Sequence, residues 1–453
     1  MIDEIRKAMA SATADYIEVR VQRASASDVR YTGKEMEHIG RRTQLGGSVR
    51  AMVKGGWGFS SFNELADLPH HVEATCRQAR LVERETPGLA PVEPGQATVV
   101  AEPEVDPRDV ALEDKQALCE RYNNIILAAP KIQTSNVMYR DSTIDEYLVN
   151  SDGAELHQET CFAGIMVMAV AKDGTDVQRA YDSVGNIRGY QVVADREAVC
   201  EEVVRRAIDL LSAEQPVAGP HTVVLDPKLC GVFIHEAFGH LSEADFVYEN
   251  DRLRKIMQIG RRFGPDSLSI CDYPRMPGEA GYYAYDAEGV AGDRTYLIRD
   301  GVLDSRLHSR ETAKMMDEEP TGNARCLNYS FAPIVRMSNT YMEPREHSFD
   351  ELLAGIEDGI YAIGAIGGQT DMEMFTFSAE EAYEIKNGEL ARKLRDVVLT
   401  GNVFETLGNI EMIGDDFEMY GGLGGCGKGG QMPLRVGDGG PSVRIKNVVV
   451  GGQ

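Results

Sequence analysis

From Asp15 to Ala24 hydrophobic and polar residues alternate. Ile17, Val19 and Val21 share one face and Glu18, Arg20 and Gln22 the other, the period of a strand buried on one side. Arg41 to Lys54 and Gly58 to Phe62 read as further short strands broken by glycines. Asp67-Leu68-Pro69 starts a helix, with Asp as cap and Pro in the first turn, that runs to about Glu83. From Val110 to Ala129 leucines and isoleucines recur three or four apart, which predicts a helix. Strands follow at Ser135 to Arg140, Glu146 to Asn150 and Cys161 to Ala171. The clearest helix spans Asp195 to Ala213, where Val199, Val203, Ala207 and Leu211 recur every fourth residue and Val204, Ile208 and Leu210 widen the stripe. A strand at Thr222 to Leu225 leads into a helix from Asp226 to about Glu243. Short, glycine-punctuated segments then predict a mostly β unit whose last strand is Ser442 to Val450.

Breaks in this pattern divide the chain. Pro87, Pro91, Pro94, Pro103 and Pro107 interrupt an acidic stretch; at that density they exclude helix and central strand, so residues 85–108 read as an extended linker. Gln215-Pro216-Val217-Ala218-Gly219-Pro220 marks a second boundary. The expected fold class is α+β. An N-terminal mixed α/β region in two segments, 1–84 and 109–215, precedes a larger, mostly β C-terminal domain, 216–453, that carries a histidine-bearing helix. For 453 residues, roughly 150 per domain also suggests about three units.

Charge narrows the partners. Lys plus Arg is 47 and Asp plus Glu 72, so the net charge of −25 repels phosphate backbones and anionic membranes, which argues against nucleic acid and membrane surfaces. The longest apolar run, Phe162 to Ala171, is about half of the roughly 20 residues a spanning helix needs. The N-terminus lacks a basic start followed by an apolar core, so no signal peptide is expected. Eight cysteines are scattered without paired spacing, which reads as reduced thiols in a cytoplasm.

The chemistry centres on Ile234-His235-Glu236-Ala237-Phe238-Gly239-His240, an HExxxH. Two imidazoles and a carboxylate on one helix suit a zinc hydrolase, with the Glu taking a proton from zinc-bound water. The spacing poses a geometric problem. Each helical residue advances about 100°, so histidines five apart lie about 140° apart and cannot share an ion unless the helix unwinds. A one-residue π-bulge would do it, and Gly239 sits where a distortion is easiest. The plain alternative is an amphipathic helix with two incidental histidines. A catalytic zinc takes three protein ligands, and Glu243, Asp245, Cys230, Cys271 and Cys426 are candidates for the third. Cys426 stands out because seven of the ten residues from Gly421 to Gly430 are glycine, and Lys428 would favour its thiolate. Gly422 to Gly429 also reads GLGGCGKG, a Walker A pattern with Gly429 in place of the magnesium-binding Ser or Thr and no helix after it. His70 and His71 fall at a helix start, on the surface, and His38, His157, His221, His308 and His347 lack ligand-like neighbours.

Ordered motifs along nearly the whole chain resemble the TldD/PmbA family, once called modulators of DNA gyrase. They include Leu45-Gly46-Gly47-Ser48-Val49-Arg50-Ala51, Gly56-Trp57-Gly58-Phe59, His235 to His240 and Tyr285-Asp286-Ala287-Glu288-Gly289-Val290. Pro320-Thr321-Gly322-Asn323, Arg336-Met337-Ser338-Asn339-Thr340-Tyr341 and Cys426-Gly427-Lys428-Gly429-Gly430-Gln431 continue the series. The resemblance implies a zinc metallopeptidase of the HExxxH-bearing branch, with His235, His240 and Cys426 as Zn2+ ligands and Glu236 as general base. It also implies unfolded or extended peptide substrates and a dimer, formed with itself or with a PmbA-like paralogue. The alternative is a peptide-binding partner subunit that does not cut.

Overall fold

The computed structural model describes residues 1–82, 84, 88–371 and 373–452. Glu83, the expected end of the first long helix, lies outside the described residues, as do residues 85–87 of the linker and Gln453 at the expected domain end. The chain is α+β, with an N-terminal mixed part and a larger, strand-rich C-terminal part.

Five long strands dominate the N-terminal part: β1 (Tyr16–Thr32), β2 (Glu35–Val53), β5 (Ile132–Asn150), β6 (Glu155–Asp173) and β7 (Asp176–Asn186). With β3 (Gly56–Phe62) and β4 (Gln96–Val99) they make a seven-stranded sheet in the order β3-β2-β1-β5-β6-β4, with β7 also on β6. Residues on both sides of the proline-rich stretch therefore share one sheet: β1 pairs antiparallel with β5 from Glu18↔Asn150 to Thr32↔Asn136. Inside that stretch, Gln96–Val99 pairs in parallel with β6. The two short strands expected around Ser135 and Glu146 are one strand. The polar residues between them keep the register, and Asp141 among them is held by the buried Lys115 ammonium at 2.6 Å.

Four helices, α1 (Ile2–Met9), α2 (Leu68–Leu81), α3 (Leu112–Ala128) and α4 (Glu197–Leu210), cover one face of the sheet. Ile17, Val19 and Val21 pack against Ile5, Leu68 and Val72, while Val137, Tyr139 and Ile165 pack against Leu118, Tyr122 and Val203. The polar face of β1 does not meet solvent as the alternation suggests. Glu18 and Arg20 are each 1% exposed, because the C-terminal part docks on them. Arg50 Nη1 bridges Glu288 at 2.8 Å and Glu18 at 3.5 Å, Arg20 donates to the Phe331 carbonyl, and the Tyr329 N–H donates to Gln22. Alternation reports two chemically different faces, and here both are buried.

In the C-terminal part, a nine-stranded sheet and a six-stranded sheet share one hydrophobic core with α5 (Pro227–Ile234). Strand β8 (Gly219–Leu225) is central to the larger sheet, and the chain passes from it directly into α5. Asp226 caps that helix by accepting the Leu229 N–H at 2.8 Å, and Pro227 fills its first turn. Phe233 of α5 meets Phe375 at 5.5 Å between ring centroids. One end of the larger sheet is the strand Gly367–Asp371.

Glu288 is buried where the two parts meet, and it takes both Arg50 and the Arg310 N–H. Glu288→Ala leaves the Arg50 guanidinium short of its nearest counter-charge in a dry seam. The expected outcome is a loss of about 3 kcal/mol, read as a lower urea midpoint; an unchanged midpoint would show that the seam does not hold the parts together.

Candidate metal centre

Helix α5 ends at Ile234, and the next five residues, His235–Gly239, wind as a π turn in which the His240 N–H reaches back to the His235 carbonyl. The longer loop brings residues five apart round to a common side. The two imidazoles stand 5.2 Å apart between centroids, with their planes at 88°. The turn is fixed from beneath by Phe238, which is fully buried against Phe263. Gly239 has ordinary helical φ (−56°), so its role is not backbone freedom. A Cβ there would stand 2.1 Å from Met337 Sδ, so any larger residue would push the buried Met337 side chain aside.

Cys426 opens the short strand Cys426–Lys428, paired with Gln431–Leu434. Its Sγ is 3.3 Å from His240 Nε2, and donor atoms of His235, His240 and Cys426 all lie within 4.8 Å of one another. Two nitrogens and a sulfur bound to one tetrahedral zinc would stand about 3.5 Å apart, N to S. The donor set therefore fits one ion with a position left open.

Each imidazole is backed by a carboxylate. His235 Nδ1 stands 2.6 Å from Asp438 Oδ1, and His240 Nδ1 lies 2.9 Å from Glu243 Oε2. The bond to Glu243 leaves His240 Nε2 for an ion, and Asp438 lies close enough to His235 Nδ1 to favour the same arrangement. Lys428 sits behind this layer, with Nζ 3.1 Å from Glu243 and 2.6 Å from Asp245.

These neighbours set the charges. Burial alone would raise the Cys426 thiol, but hydrogen bonds and charge from His235 and His240 outweigh it and hold the pKa at about 5. Burial works against charge on His240, yet Glu243 and Cys426 lift it to about 9; Asp438 and Cys426 likewise lift His235. Burial would raise Glu243, but Lys428 and His240 bring it down to about 2. A divalent cation held here would have to displace the ring protons and would find the sulfur already as thiolate.

The other expected ligand candidates are used elsewhere. Glu243 and Asp245 hold Lys428. Cys230 is buried against Gly440, and Cys271 lies 3.8 Å from Glu343 with burial pushing its thiol up to about 12. The Walker-like stretch is a hairpin arm, and Lys428 is buried against two carboxylates instead of facing a phosphate. His308 is a fully buried structural residue bonded to Thr312 and Glu318. Asp438 escaped the sequence reading because nothing in its glycine-rich context relates it to His235, whereas Glu243, three residues after His240, was within reach.

Glu236 projects into a cleft of ≈1040 Å³ that the three donors also line. Among the described residues no side chain pairs with it. Burial raises its pKa; His235 and His240 pull the other way.

Comparison with known proteins bears on what this cleft does. The domain descriptions "PmbA/TldA metallopeptidase C-terminal domain", "central domain" and "domain 1" match residues 218–452, 105–211 and 17–82. The chain belongs to the PmbA/TldD metallopeptidase family. It is 46% identical to Metalloprotease slr0863 of Synechocystis, over 97% of this chain and 95% of that one. It is 30% identical to the zinc metalloprotease TldD homolog of Saccharolobus solfataricus, over 97% of each. The fold matches a putative modulator of DNA gyrase from Bacteroides thetaiotaomicron (TM-score 0.80, 18% identity, covering 100% of this chain and 98% of that one). It also matches TldE from Thermococcus kodakarensis (TM-score 0.78, 17% identity, 100% and 99%). This PmbA/TldD protein is a metallopeptidase, a hydrolase of peptide bonds.

The carboxylates behind the rings generate a prediction. Asp438→Asn keeps the shape but not the charge facing His235, and should weaken metal binding about 10–100-fold in competition with a chelating dye. Wild-type affinity in that variant would remove Asp438 as the partner that orients His235.

Proposed function

We propose that this metallopeptidase uses Zn2+ held by His235, His240 and Cys426 to cut unfolded or extended peptides, with Glu236 as general base. The observation that carries the reading is the position of Glu236: an unpartnered carboxylate in the cleft, on the same turn as two of the donors. The name of the Saccharolobus relative supports zinc among divalent ions.

When bound, zinc supplies a Lewis acid that polarises a peptide carbonyl and lowers the pKa of water. Glu236 accepts the proton released as water attacks the carbonyl, then gives it to the leaving amine. Burial moves its pKa upward from the usual carboxylate range, which suits a group that must both take and return a proton near neutrality. Glu243 bonds His240 Nδ1 and Asp438 lies beside His235 Nδ1, so the two carboxylates orient the imidazoles. A thiolate ligand donates more charge than a third imidazole would, so the reading carries a slow, selective enzyme.

The cleft wall supports an extended substrate. Strand Gly367–Asp371 ends the larger sheet, and its residues from Gly367 to Thr370 line the cleft. An extended peptide can add to such an edge through main-chain hydrogen bonds, which a folded segment cannot do. Phe246, Ile366 and Met432, 41%, 41% and 69% exposed, offer apolar contacts around the cleft. The family resemblance supports a dimer, with a second copy or with a PmbA-like paralogue. The eight cysteines, all unpaired thiols, support a reducing cytoplasm.

Glu236→Gln should keep stoichiometric zinc and lose at least about 100-fold in hydrolysis of an unfolded peptide. Full activity would remove Glu236 as base. A wild-type protein that holds zinc but cuts no unfolded peptide, alone or with a paralogue, would favour a binding subunit instead.

A further inference from the structure

His235 and His240 position each other, because one turn carries both. Cys426 has no such help: it lies 186 residues after His240, in a loop that is mostly glycine. What holds that loop therefore decides whether the third donor is in reach. We propose that Ser183 of the N-terminal sheet and Arg336 of the C-terminal part are positioning residues for Cys426, gripping its loop from opposite ends. The proposal rests on Cys426 being a metal ligand.

At the leading end the loop lies on β7. The Gly185 N–H donates to the Gly421 carbonyl at 2.9 Å, and the Leu423 N–H donates to Ser183 Oγ at 3.0 Å. Leu423 buries its side chain with Phe162 and Ala280. Glycine at 421 and 422 is what permits the fit. A Cβ on Gly421 would come 2.5 Å from the Gly185 carbonyl oxygen, and one on Gly422 would come 2.7 Å from Ser183 Oγ. The glycines thus serve close docking on another part of the fold, and the docked segment ends three residues before the sulfur.

At the trailing end stands Arg336, with no exposed surface. Its Nη2 donates to the Cys426 carbonyl itself at 2.8 Å, and its Nη1 to the Gln431 carbonyl at 3.3 Å across the hairpin. The Gln431 side chain in turn accepts the Leu327 N–H at 2.8 Å and donates to the Ala332 carbonyl at 3.0 Å. Among the described residues no carboxylate pairs with Arg336, in a chain that has 72 of them. A buried guanidinium without a counter-charge is costly. Here its planar fork spans two carbonyls of one hairpin, a geometry the single ammonium of a lysine cannot copy in full.

The test is cobalt titration of metal-free protein, followed by the sulfur-to-cobalt charge-transfer band and by the d–d bands. Ser183→Ala, Arg336→Lys and Arg336→Met are compared with wild type, with Cys426→Ser as the reference for a site without sulfur. Arg336→Met should bind about 10–100-fold more weakly, Ser183→Ala near the lower end of that range, and Arg336→Lys should recover part of the loss. In each, the charge-transfer band should fall relative to the d–d bands, because sulfur is displaced while the imidazoles stay. A purely structural role would lower the melting temperature and leave the cobalt spectrum unchanged. Wild-type affinity and spectrum in folded Ser183→Ala and Arg336→Lys would overturn the proposal, and these milder variants decide it if Arg336→Met does not fold. A wild-type cobalt protein without the sulfur band would overturn the ligand role of Cys426 itself, a distinct failure.

Discussion

A regular α-helix cannot turn residues five apart to a common side, and the grouping of His235, His240 and Cys426 depends on how that constraint is met. The chain inserts one extra residue into the turn that carries His235 and His240, with the His240 N–H bonded five residues back. Such a turn is intrinsically poor, so its surroundings must over-determine it. They do: Phe238 below, Met337 against Gly239, and carboxylates from Asp438 and Glu243 behind the two rings. The fold around α5 can be understood as what makes an unfavourable turn the best available one. Its helix is central to the core shared by the two C-terminal sheets, where a local backbone change cannot relax freely.

A second consequence concerns polarity. The chain is strongly acidic overall, yet arginines and carboxylates are buried together where the N-terminal sheet meets the C-terminal part: Arg20, Arg50 and Arg310 with Glu18 and Glu288. Apolar surfaces would stick in many registers. A charged, hydrogen-bonded seam penalises misplacement, because a shifted register strands a buried charge. That selectivity matters because Tyr181 and Ser183 of β7 line the same cleft as Glu236, so the accuracy of docking is also the accuracy of the cleft wall.

The features legible in the sequence were those whose cause is local. Capping at Asp226, the stripe on α4 and the need to unwind the HExxxH turn follow from residues within a few positions of one another. The buried polar face of β1 was not legible, because burial there is imposed by residues about 300 positions away, such as Cys326 and Phe331. The continuity of β5 through Asp141 was hidden for the same reason, since the partner Lys115 belongs to α3. At the site, the resemblance picked Cys426 out of five candidate ligands, while spacing left them open. Asp438 and Arg336 had no local signal at all, as each acts on a residue at least 90 positions away.

Both halves of the chain meet at the glycine loop. Read as sequence, its glycines suggest mobility. In the structure, those at 421 and 422 are pressed against β7 and the one at 425 against the carbonyl of Leu434, so that added Cβ atoms would collide with backbone or side chain. A segment built to be gripped this closely gains definition from its lack of side chains. The place of Cys426 then depends on both parts of the molecule. A sheet made from the first half of the chain bonds one end of its loop, a guanidinium from the second half bonds its carbonyl, and its sulfur lies beside His240. The N-terminal half is thus a wall of the cleft and a support of the loop that carries Cys426, which gives so large a scaffold a part in shaping the cleft.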